Sequence, residues 1–124
     1  MKIMIVLCMV SFATYAESSE IESYHNELWC EKQGGEIGVV LKNRRICDCV
    51  TNDMLIETKL AKGNCFEALG KVLYLSMIAK KKAGLLLIVD NSREWTVVDR
   101  MQKVIAHYKL LVSLFYVESD SYKK

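Results

Sequence analysis

The chain has 124 residues, with 17 Lys and Arg against 15 Asp and Glu, a formal net charge of +2, five cysteines and no proline. So even a balance excludes a whole-protein field that gathers nucleic acid, and any such binding must rest on a local patch. The length suits one domain around a single core, and no repeat or low-complexity linker divides it.

Residues 1–16, MKIMIVLCMVSFATYA, join an early Lys2 to an apolar run and a small residue at Ala16. This pattern predicts a secretory signal peptide cleaved before Glu17, too short to span a bilayer as a helix. Cys8 follows Leu7, where a lipid-anchored leader would want a small residue. The expected product is an exported domain, 17–124, periplasmic or secreted, whose net charge falls from +2 to +1 with the loss of Lys2. Four cysteines remain: Cys30, Cys47, Cys49 and Cys65. In an oxidising compartment they allow up to two disulfides and three pairings. Zinc is the alternative, because Cys47 and Cys49 share a strand face, but paired C-x-x-C spacing is missing.

Ile21, Tyr24 or His25, Leu28 and Trp29 recur at helical spacing between Ser19 and Lys32, and Gly34-Gly35 ends that helix. Glu36 to Leu41 alternates as a strand before a turn at Lys42-Asn43. Arg44 to Leu60, RRICDCVTNDMLIETKL, reads as two strands joined by Thr51-Asn52-Asp53. Gly63-Asn64 opens a helix from Cys65 to about Lys80, with Phe66, Leu69, Leu73 and Met77 on one side. Lys80, Lys81 and Lys82 finish it, where cations meet the negative end of the helix dipole; a phosphate patch is the competing reading. The continuous apolar run Leu85 to Val89 predicts a strand covered on both faces. Asp90-Asn91-Ser92 breaks the chain, Glu94 to Lys109 is helical again, Leu110 to Val117 is a last strand, and Glu118 to Lys124 is a polar tail. The order αβββαβαβ predicts an α/β domain with a mixed central sheet flanked by helices.

Within it, Asp48 lies on the second strand, and Glu57 and Lys59 lie on the third. Glu57 and Lys59 are two apart and so share a face. Two hard carboxylates suit Mg²⁺ or Mn²⁺, and a nearby ammonium can orient a metal-bound water. From spacing alone, the competing reading is a solvated sheet face with a cross-strand ion pair.

An Asp on the second strand and Glu-x-Lys on the third, on this order of elements, resemble the PD-(D/E)xK nuclease superfamily; here they are Asp48 and Glu57-Thr58-Lys59. The chain is also similar to a group of small exported bacterial proteins of that superfamily with W-C, V-V-L, R-V-D-C-L-T, A-I-E, E-A-I-G-Q-S-L-Y-Y and K-x-A-G-x-x-L-I patterns. The matching stretches are Trp29-Cys30, Val39-Val40-Leu41, Arg45 to Thr51, Ile56-Glu57, Glu67 to Tyr74 and Lys82 to Ile88. They cover nearly the whole domain after the leader. That group has Asp where this chain has Lys59. Lys71 stands where many superfamily members carry a site-shaping Gln, and Leu75 where a Tyr follows.

The resemblance implies a restriction-endonuclease-like fold and Mg²⁺-dependent (or Mn²⁺-dependent) hydrolysis of nucleic acid. Asp48 and Glu57 would hold the ion and Lys59 would position water or offset charge, with Glu27 (or equally Glu31) and Lys71 as additional site residues. A homodimer is one way for so small a domain to clasp a duplex. The resemblance further implies a Cys30–Cys49 bridge, which leaves Cys47–Cys65 as a second pair. With Cys47 and Cys49 on one face, Asp48 is expected to point the other way. His25, His107, Ser76 and Ser113 lack a triad setting, and Trp29 and Trp95 read as core anchors. Lys62 is a further candidate for phosphate contact or plain solvation. A catalytically silent binding or interaction module on the same fold is the alternative function. A zinc- or disulfide-stabilised structural component is another.

Overall fold

The structure, a computed structural model, describes residues 19–124. The expected leader lies outside the described residues. Helix α1 covers 19–32 and ends at Gly34, whose φ of +71° suits a residue without a side chain, while Gly35 N–H donates to Cys30 O at 3.0 Å. Strands β1 (Glu36–Val40), β2 (Ile46–Val50) and β3 (Met54–Leu60) follow, then α2 (Cys65–Ala79), β4 (Lys82–Asn91), a 3₁₀ turn (Ser92–Glu94), α3 (Trp95–Tyr108) and β5 (Val112–Lys123). The sheet runs β1-β2-β3-β4-β5, antiparallel across the first two junctions and parallel across the last two. Parallel neighbours need crossovers, and α2 and α3 supply them.

Because β4 is covered on both faces, its apolar run does not alternate. Leu85, Leu87 and Val89 pack with Leu69 of α2 and Val98 and Met101 of α3, whereas Leu86 packs with Ile56 and Cys30 on the α1 side. Residues Leu85 to Val89 are all fully buried, each worth roughly 1.5–3 kcal/mol of burial. Trp29 closes the α1 layer against Phe115, ring centroids 4.9 Å apart. Among the described residues no helix is long and apolar enough to cross a membrane.

Three local expectations are corrected. Arg44 lies in the turn before β2, at φ +66°, with its N–H on Leu41 O. The lysine run does not sit in the last turn of α2: Lys80 is the left-handed cap, Lys81 Nζ donates to Thr51 O at 2.7 Å and Asn52 O at 3.1 Å, and Lys82 opens β4. The polar tail is strand, since β5 continues to Lys123. Ser119 and Ser121 hydroxyls donate to Asp90 Oδ1, and Trp95 Nε1 donates to Tyr122 O–H at 2.8 Å. Those hydroxyls hold Asp90 below the usual carboxylate range. Polar residues at an edge keep a strand when their side chains find partners across it.

Cysteine placement differs as well. Cys30 and Cys49 form a disulfide, but Cys47 and Cys65 are free and buried, which corrects the second pairing. Cys47 and Cys49 do not share a face: Cys49 packs with Cys30, Ile56 and Leu86, and Cys47 with Leu55, Val72 and Leu75. The regular alternation fails at Asp48, opposite Gly38, whose φ of +60° lets β1 follow the distortion. Cys47 therefore meets α2 seven to ten residues beyond Cys65, about 10–15 Å along the helix, too far for a bridge, which spans at most ~7 Å between Cα atoms. Burial pushes the Cys47 thiol up to about 12 and Cys65 to about 11. Iodoacetamide is expected to leave both unlabelled in the native protein and to label both in denaturant, as peptide mass mapping would show; native labelling would contradict this burial.

Candidate functional site

The failure of alternation at Asp48 opens the sheet. The β2–β3 ladder pairs Cys49 with Ile56 and Val50 with Leu55, and beyond it two N–H groups on the same edge of β3 bond side chains instead. Thr58 N–H donates to Asp48 Oδ2 at 2.8 Å, and Leu60 N–H donates to Glu22 Oε2 at 3.2 Å. Buried Asn26 closes the gap from α1: its Nδ2 donates to Asp48 O at 2.9 Å and its Oδ1 accepts from the Thr58 hydroxyl at 2.6 Å. Backbone donors thus orient two carboxylates at the split, and the Asn26 amide ties α1 to β2 and β3 beside them.

A cleft of about 160 Å³ results, lined by Glu22, Asp48, Glu57, Thr58, Lys59, Glu67, Ala68 and Lys71. Asp48, Glu57 and Lys59 are brought together there. Glu57 and Lys59 share the α2 side of β3, opposite Leu85 and Leu87 of β4. Lys71 Nζ of α2 lies 3.2 Å from Glu57 Oε2. Glu57 is 4% exposed, and its buried Oε1 has no hydrogen-bond partner among the described residues. Burial first, and then the neighbouring Asp48 carboxylate, push Glu57 up to about 7, while Lys71 works the other way. Burial also raises Glu22, against the Leu60 N–H, which lowers it.

Glu27 and Glu31 are exposed and do not line the cleft; the acid from α1 is Glu22. Glu22 and Asn26 stand eight and four residues before the bridged Cys30, so helical spacing puts all three on one stripe. That spacing was the signal that could have found them. Leu75 is a buried core residue beneath β2. His25 is buried beside Tyr24, away from the cleft, and His107 is exposed. With Cys49 bridged to Cys30 and Cys47 on the other face, the four cysteines among the described residues do not converge on a zinc site.

Among the described residues, no group of three or more His, Cys, Asp and Glu side chains is arranged to hold a metal ion. A pair of carboxylates suits a different kind of ion, one that keeps most of its coordination to water, as Mg²⁺ does. The Asp48–Glu57 pair fits on two grounds. The donors are hard oxygens, and Glu57 Oε1, which accepts no hydrogen bond from the described residues and lies beside a second carboxylate, is open to a proton, a water or a cation. Four carboxylates line the cleft against two ammonium groups, so the balance favours a divalent cation. A scan of protein-family models finds no match to this chain, and searches of curated proteins and of solved structures find none either.

Proposed function

We propose that this protein is an exported, metal-dependent nuclease that hydrolyses phosphodiester bonds, built on a restriction-endonuclease-like form of its α/β fold. The observation that carries the reading is the buried, unpartnered Glu57 oxygen beside Asp48 in a cleft that Lys59 also lines. Support comes from the αβββαβαβ order, with the acid on β2 and the acid-x-Lys on β3. The Cys30–Cys49 bridge fits an oxidising compartment.

Asp48 and Glu57 would hold Mg²⁺ or Mn²⁺. Such an ion, when bound, polarises a phosphoryl oxygen and acidifies water. Thr58 N–H holds Asp48 in one orientation, so its carboxylate needs no rearrangement to act. Lys59 orients the attacking water and offsets charge developing on the phosphoryl oxygens. Four carboxylates against Lys59 and Lys71 leave the cleft acidic, so a bound divalent ion, with Lys59 beside it, would have to offset that charge for a nucleic-acid backbone to enter.

The test incubates the protein with plasmid and with short single strands, in Mg²⁺, Mn²⁺ or chelator. Metal-dependent cutting is expected, and Asp48→Ala and Lys59→Ala each reduce it by roughly 10²–10³-fold. Unchanged cutting in both variants would mean a contaminant. The Lys71–Glu57 ion pair favours a second reading, a catalytically silent interaction module, since it already compensates one carboxylate. A folded protein that neither cuts nor binds nucleic acid would select that reading.

A further inference from the structure

Lys71 and Glu67 stand four residues apart on α2, the spacing at which an acid and a following lysine meet on a helix surface. Both line the cleft. In this structure the Lys71 ammonium is on Glu57 instead, at 3.2 Å. Glu67 shares one oxygen, Oε2, with the side-chain amide of the cap Asn64, at 3.0 Å. The lysine side chain is 40% exposed and Glu57 only 5%. The long, mobile partner is therefore the cation, and the fixed one is the buried carboxylate. Buried Glu57 thus has a positive neighbour that can leave, and that neighbour has a second acid one turn away.

We propose that Lys71 is a resident counter-cation: it holds the Glu57 carboxylate while no divalent ion is bound and passes to Glu67 when one enters. This rests on the reading of Asp48 and Glu57 as the metal pair. The ammonium keeps a buried carboxylate compensated in the metal-free protein, which otherwise carries an unpaired charge at high cost. An entering ion must displace it, so a monovalent cation, which offers no more charge than the ammonium it replaces, gains nothing. Glu67 lowers the free-energy cost of displacement by receiving the lysine. The metal-binding affinity is thereby set by α2 as well as by the two carboxylates.

The experiment titrates Mn²⁺ alone, by calorimetry at pH 8 and low salt, into the wild type, Lys71→Gln, Glu67→Gln and the double variant. Lys71→Gln is expected to bind roughly fivefold more tightly and Glu67→Gln several-fold more weakly. The decisive comparison is the double variant, in which Glu67→Gln should have no further effect once Lys71 is gone. If Glu67→Gln weakens binding equally in both backgrounds, the two residues act only through their fields, and displacement is wrong. If Lys71→Gln binds no more tightly, resident compensation is wrong. Absence of binding heat in all four proteins would overturn the metal reading together with this one. A measurement on the unaltered protein guards against a variant that fails to fold: Mg²⁺ should shift the Lys71 Nζ nitrogen resonance, identified by its loss in Lys71→Arg. A resonance that stays put while Mg²⁺ binds overturns the proposal.

Discussion

Glu57→Gln is expected to make the metal-free protein more stable above neutral pH and, under the proposed function, to reduce metal-dependent cutting by roughly 10²–10³-fold. Folding raises the Glu57 carboxyl from 4.5 to about 7, chiefly through burial and then through Asp48. The direction is the reverse of a salt-bridged acid. Between those two values the folded protein binds more protons than the unfolded chain, so stability falls as pH rises through the window. The fall is about 3 kcal/mol in all, because each tenfold change in proton affinity is worth about 1.4 kcal/mol. Above pH 7 the whole penalty stands. Gln carries no charge at any pH, so the variant should lack this fall. Mg²⁺ should restore the wild type at pH 8 and leave the variant unmoved. Thermal melts at pH 5, 6, 7 and 8, with chelator and with Mg²⁺, read all of this. Parallel profiles for the two proteins would show that Glu57 is not the destabilising charge.

The second large effect belongs to the disulfide. Cys30→Ala, or reduction, should cost about 3 kcal/mol, because the bridge closes a loop with a sequence separation of 19, and should lower the melting temperature by roughly 10–20 °C. The loss should reach the cleft too. Cys30 anchors the α1 stripe that carries Asn26 and Glu22 over the split between β2 and β3, so reduction is expected to weaken Mn²⁺ binding although no metal ligand is removed. Gly35 gives an independent check. A Cβ there would lie 2.8 Å from Cys30 Sγ, 2.9 Å from Cys49 Sγ and 3.0 Å from Val50 O. Gly35→Ala should therefore destabilise the oxidised protein by about 1–3 kcal/mol and the reduced protein by less. An equal effect in both redox states would place the strain on Val50 alone.

Much of the architecture was legible from local pattern. The unbroken apolar run from Leu85 to Val89 announced a strand with both faces covered, and the helical spacing in α2 and α3 announced its crossovers. Glu57 and Lys59 read correctly as face-sharing neighbours, because strand alternation holds along β3. It fails one strand away, at Asp48, which is why Cys47 and Cys49 were misread as sharing a face; the Cys47–Cys65 pairing failed for a different reason, the position along α2 at which Cys47 packs. The tail from Glu118 was misread for a related cause: a polar stretch looks like loop until Asp90 and Trp95, far back in the chain, supply partners for Ser119, Ser121 and Tyr122.

The amino-acid sequence by itself determined the order of elements, the buried strand and the placement of an acid and an acid-x-lysine on adjacent strands, since each depends on periodicities of two or 3.6 residues. The tertiary structure alone decided which side chains fill the gap between β2 and β3. Asn26 reaches Asp48 and Thr58, and Glu22 reaches Leu60, across 22 to 38 residues. The reason is that a backbone N–H left without its ladder partner must be satisfied by whatever the packed chain brings near. No local pattern records which group that will be.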